Sequence, residues 1–118
     1  MVQYQPAQIQ SCVMTTKTAT LAESGTKTTA VLMAPFRMGM MYLPAEYNGE
    51  TITFEVAESL TGTFAAAMDS GGTAISFTAN AAPRWYDLPP IVCSSAAFKI
   101  VTGTGAGAAA TVTLCLKA

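Results

Sequence analysis

Histidine is missing altogether, and charge is scarce: six basic and seven acidic residues in 118, or 11%, where an ordinary soluble domain carries about 25%. The commonest general base and the commonest metal ligand go with the histidine, and most familiar enzyme designs with them. A net charge of −1 with no run of either sign leaves no phosphate footprint, so nucleic acid is not an expected partner. Cysteine is limited to Cys12, Cys93 and Cys115, far apart and without a Cys-x-x-Cys pair, which gives a zinc site no foundation. They read as free thiols of a protein made in a reducing compartment. Long apolar runs are missing too, so no membrane span is expected. Residues Met1 to Gln10 have neither the basic nor the apolar region of a secretory leader.

What remains is neutral and β-forming. The apolar fraction is 51%, and 21 Ala with 17 Thr make up about a third of the chain. Thr suits pleated surfaces and Ala lets layers approach closely. At 118 residues one domain is expected, over 11–118, preceded by an N-terminal arm over 1–10 that orders on assembly.

Period-two alternation organises that domain. In Thr51 to Ala57, Ile52, Phe54 and Val56 share one face while Thr51, Thr53 and Glu55 share the other. The same pattern recurs in Thr111 to Leu116 and in Ala74 to Thr78. Weaker strands are predicted for Met14–Leu21, Thr28–Met33, Met38–Leu43, Thr63–Met68, Arg84–Leu88 and Ala97–Val101. Between them stand Glu23-Ser24-Gly25, Ala34-Pro35, Tyr47-Asn48-Gly49-Glu50, Asp69-Ser70-Gly71-Gly72 and Leu88-Pro89-Pro90, all turn chemistry. The Ala triplets at 65–67, close after Thr63, and 108–110, between Gly107 and Thr111, are too short to propagate a helix. Eight to nine short strands with frequent turns predict an all-β antiparallel sandwich of jelly-roll type.

A search for chemistry returns little. Gly103 to Gly107 lacks the Gly-Lys-Ser/Thr ending of a phosphate loop and precedes a strand rather than a helix. Glu55 with Glu58, and Glu46 with Glu50, are carboxylate pairs that nothing aims across a cleft. Asp69 and Asp87 do not sit in a repeating Asp-rich loop of the kind calcium sites use. The Ser- and Thr-rich segment 11–29 offers hydroxyls but no base to activate one. No catalytic residue, cofactor or metal site is expected. Candidate contact residues are Tyr4, Met38, Met40, Tyr47, Trp85 and Tyr86. Alternation puts Trp85 and Tyr86 on opposite faces, so one plugs the core and the other meets solvent. The methionines at 33, 38, 40 and 41 either fill the core or line an oligomer interface.

The stretches Ala19 to Thr26 and Met38 to Ala57, with Leu43-Pro44-Ala45 leading through a short turn into Ile52-Thr53-Phe54-Glu55-Val56, resemble small β-sandwich proteins encoded among tailed-phage virion genes. Thr63-Phe64-Ala65 and the closing Ala110 to Leu116 extend the likeness over about residues 18–117, with a departure at Ala65-Ala66-Ala67-Met68. The resemblance implies a virion component synthesised in the host cytoplasm and no enzymatic activity. A capsid decoration protein is the leading expectation, homo-oligomeric, as a trimer, and bound to the major capsid protein or other virion proteins. A tail- or fibre-associated module, with a glycan as ligand, is the alternative.

Overall fold

The computed structural model describes residues 14–47, 50–79, 83–103 and 109–118. The arm expected over 1–10, Cys12, the Asn48-Gly49 turn and most of the loop after Gly103 lie outside the described residues. Among the described residues there are nine strands: β1 (Met14–Leu21), β2 (Val31–Leu32), β3 (Met38–Leu43), β4 (Thr51–Ala57), β5 (Ala65–Ala66), β6 (Ser76–Thr78), β7 (Arg84–Asp87), β8 (Ala97–Thr102) and β9 (Ala110–Lys117). A 3₁₀ turn spans Ala45–Tyr47, and one short helix, α1, spans Pro90–Cys93.

Pairing is antiparallel throughout and nested like brackets. Met14 lies opposite Lys117, Val31 opposite Phe98, Met41 opposite Tyr86 and Ile52 opposite Phe77. Successive pairs alternate between two sheets, ordered β1-β9-β3-β7 and β2-β8-β4-β5, with β6 also on β4. This is the jelly-roll arrangement. The strand facing β4 is interrupted: β5 pairs with Glu55 and Val56, β6 with Thr51 to Thr53. The intervening residues form a small hairpin closed by a Met68–Ala74 bridge. The Asp69 carboxylate accepts from the Gly71 and Thr73 amides at 2.9 Å, and Gly72 supplies the positive φ of 84° the turn needs. Asp69 is thereby a turn-forming residue.

Alternation sets the core. Leu21, Met41, Leu43, Val112, Leu114 and Leu116 from the first sheet meet Ile52, Phe54, Phe98 and Ile100 from the second, all buried. Aromatic rings close one flank: Phe54 and Phe77 lie with centroids 6.4 Å apart, and Phe77 reaches across the layers to Tyr86 at 5.1 Å. At the other flank Lys17 donates to the Leu32 carbonyl at 2.8 Å, its ammonium 5.6 Å from the Phe36 ring centre, and so ties β1 to β2.

Four elements differ from the sequence expectation, the mildest being β6, which begins at Ser76 rather than Ala74. The strand over Thr28–Met33 contracts to Val31–Leu32 because the preceding residues cross between sheets. Thr28 bridges to Leu21 and Lys27 to Val101. The Thr28 hydroxyl accepts from the Ile100 amide at 3.0 Å, replacing the absent ladder bond. The strand over Thr63–Met68 contracts to Ala65–Ala66, interrupted by the hairpin. Finally, Pro89-Pro90 ends β7 as expected but also starts α1, with proline in the first turn, where a missing N–H costs nothing.

Candidate interaction surface

Directly opposed residues on neighbouring strands point to the same face, and the register of the first sheet lays out its outer face rung by rung. The first rung reads Met14, Lys117, Met38. The second reads Thr16, Cys115, Met40, Asp87, and the third Thr18, Thr113, Tyr42, Trp85. Met14, Met38, Met40 and Trp85 are 57%, 52%, 39% and 45% exposed. Trp85 and Tyr42 pack at 5.4 Å between ring centres, tilted by 57°. Met14, Met38, Met40, Cys115, Lys117 and Asp87 line a shallow depression of about 290 Å³. This face is a continuous apolar and threonine surface with one charge of each sign.

The outer face of the second sheet is different in kind. Glu55 sits opposite Lys99 and makes a 2.7 Å ion pair with Lys27, while the Lys99 ammonium lies 4.6 Å from the Phe64 ring centre. Its charges are satisfied within the protomer. Glu55, considered above as half of a carboxylate pair, is thus engaged by Lys27. By contrast, Lys117 and Asp87 on the first sheet make no ion pair among the described residues. An exposed apolar surface rimmed by unengaged charge marks an interaction face rather than a solvated one.

The candidates from sequence divide accordingly. Met38, Met40 and Trp85 lie together on this face, whereas Met33 and Met41, the other members of the methionine concentration, are buried. Tyr86 turns inward onto Phe77, as alternation requires. Tyr4 lies outside the described residues. Tyr47 is corrected: at 1% exposure it belongs to the core, because the 3₁₀ turn after Pro44 folds it under the sheets rather than presenting it in a hairpin tip. Met14, Tyr42, Cys115 and Lys117 join the face unannounced. Their proximity depends on β3 pairing with β9, residues more than seventy positions apart, which no local pattern reveals.

Beside this face, Arg37, Pro89, Pro90 and Cys93 border a cleft of about 540 Å³ against α1. Burial pushes the Cys93 thiol up, a hydrogen bond with the Gly39 backbone opposes this in part, and the Asp87 carboxylate adds the smallest upward push, so it is held as the unreactive thiol. Among the described residues no three of His, Cys, Asp and Glu gather as metal ligands, and no helix is long and apolar enough to cross a membrane.

Tyr47 provides a test of the core at this end. Its hydroxyl is buried with no hydrogen-bond partner among the described residues, and burial, with the neighbouring Glu46 carboxylate, pushes the phenol up to about 12. The unfolded phenol ionises near its ordinary value of about 10. Below that pH both states keep the proton; as pH rises toward 12 only the folded state keeps it, so stability falls through this window. Tyr47→Phe is expected to remove that part of the alkaline loss and to raise stability at neutral pH by about 1 kcal/mol, since an orphaned buried hydroxyl disappears. Urea melts of both proteins between pH 8 and 12 check this. Parallel alkaline profiles would show that Tyr47 is not the titrating group.

No protein-family model matches the sequence, and no curated protein does. Among solved structures, the chain is similar to the crystal structure of SPBc2 prophage-derived protein YomS, with a TM-score of 0.55 and 11% sequence identity over 90% of this chain and 96% of that one. At that identity the likeness is one of fold: the two-sheet architecture described above extends over nearly the whole of both chains.

Proposed function

We propose that this protein is a non-enzymatic structural component of a tailed-phage particle, a capsid decoration protein that coats or stabilises the head through contact with the major capsid protein. The observation that carries the reading is the outer face of the β1-β9-β3-β7 sheet. Neutral Thr and Met surface can be desolvated against a neighbour without the several-kcal/mol penalty per ion that a charged face would meet. Low charge density also limits repulsion between copies packed at high local concentration. The fold likeness to a prophage-derived protein supports the same setting. Quantitative protein analysis of purified particles tests it: a decoration protein is present in numbers comparable to the major capsid protein, and a handful of copies per particle overturns the role.

One observation favours a second reading, a tail- or fibre-associated module that binds carbohydrate. The Tyr42–Trp85 pair presents aromatic surface on an exposed face, and flat rings stack on the apolar faces of sugars. Trp85 is the only tryptophan, so its emission reports that site alone. Fluorescence unmoved across a panel of monosaccharides and cell-surface glycans removes this reading.

A further inference from the structure

The outer face of the first sheet matches itself. Lys117 and Asp87 lie on opposite flanks of β3, one on the Met38 rung and one on the Met40 rung. With strands about 4.8 Å apart and about 3.4 Å per residue along them, a two-fold axis lying in the face and exchanging these two charges crosses β3 midway between Met38 and Met40. It runs at about 35° to the strands and, on a flat lattice of those spacings, passes about 2 Å from Cys115. The same operation sets Tyr42 over the partner's Thr16 and Trp85 beside the partner's Met14. Apolar positions thus fall on apolar or threonine positions, and each charge falls on its opposite. Strands of eight, eight, six and four residues cover about 420 Å² in projection and more in accessible area, against the about 800 Å² per partner of a standard interface.

We propose that two copies of this chain associate face to face through the outer surface of the β1-β9-β3-β7 sheet, with Lys117 of each copy against the partner's Asp87 and the two Cys115 thiols adjacent at the axis. This rests on the reading of the face as an assembly surface, here between copies, which leaves contact with the major capsid protein to other surfaces of the pair. Its test is made on the purified full chain in solution, so it succeeds or fails independently of copy number in particles. An isologous contact of this kind closes on itself, which gives a discrete dimer rather than a filament.

Sedimentation velocity over a concentration series measures the dimer. Lys117→Asp and Asp87→Lys each place like charges against one another and are expected to raise the dissociation constant at least about tenfold. Combining the two reversals re-pairs the charges and is expected to bring the constant back to within about threefold. Both side chains lie on the outer face and have no ion-pair partner there, so the thermal melts of all three variants stay close to the parent. In a Cys12→Ser, Cys93→Ser background a short bismaleimide is expected to link Cys115 to Cys115 of the second copy. A monomer at every concentration overturns the proposal. So does a dimer indifferent to the single reversals, a double variant that fails to recover, or a dimer that does not cross-link. A monomer whose Met38→Cys thiol resists maleimide would put another part of the same chain on the face and would overturn it equally.

Discussion

Replacing Phe54 with alanine is expected to lower the stability of the fold by about 3–5 kcal/mol. This is the largest single effect anticipated for any side chain in the molecule. Phe54 is fully buried on β4, the central strand of the second sheet, between β8 on one side and β5 and β6 on the other. Its ring starts the Phe54–Phe77–Tyr86 series that joins the two layers. The Phe54 carbonyl accepts from the Ala67 amide at 2.9 Å and β4 is laddered on its other side to β8, with Phe54 opposite Ile100, so the backbone beside the new cavity is held on both sides. Collapse around the gap is therefore limited, which pushes the cost toward the upper part of the range. Against a total of about 5–15 kcal/mol for a domain this size, the melting temperature should fall by roughly 12–20 °C. A calorimetric shift of only a few degrees would show that the aromatic series is not what joins the layers.

How much of this was legible in the sequence follows from the range over which each signal acts. Ile52, Phe54 and Val56, or Val112, Leu114 and Leu116, announce their strand and their inward face within seven residues, because the period of two is a local property of the extended chain. The observed β1, β3 and β4 accordingly begin and end where expected, and β9 extends only one residue further at each end. The strands that contracted are those whose hydrogen bonds are taken by something else: a threonine hydroxyl on Ile100, or the hairpin anchored by Asp69. Sequence also separated Trp85 from Tyr86, since neighbours on a strand must part. It could not separate Met38 and Met40 from Met33 by role, because that requires knowing which side of β3 lies against the second sheet. Nor could it join Met14, Cys115 and Lys117 to Met40, since only the nested pairing brings the two ends of the chain onto adjacent strands. The scarcity of charge was visible from the outset. That the few charges are neutralised on one sheet and left facing outward on the other is a property of the fold alone.

Gly39→Val is expected to cost about 3 kcal/mol, toward the upper end of what overpacking exacts, and to disturb the outer face as well as the core. Gly39 stands on β3 between Met38 and Met40, on the inward side and directly opposite Leu116. A Cβ there would come within 2.6 Å of a Leu116 methyl, 2.9 Å of a Leu88 methyl and 3.2 Å of the Cys115 carbonyl. The leucine methyls can rotate away, but the carbonyl belongs to the ladder that binds β3 to β9 and cannot. Leu88 is further held by its amide, which donates to the Gly39 carbonyl at 3.1 Å. A branched side chain at this point must therefore push β3 outward or part it from β9. Either movement shifts Met38 and Met40 relative to Lys117 and Asp87. The variant should consequently melt about 12 °C lower and, at temperatures where it remains folded, self-associate more weakly than the parent by an amount that Gly39→Ala reproduces in part. Chemical denaturation and sedimentation of the two variants check this together. If valine is accommodated with no loss of stability, the close approach of Leu88 and Leu116 does not hold β3 in place, and the alignment of the methionine rungs must come from elsewhere in the sheet.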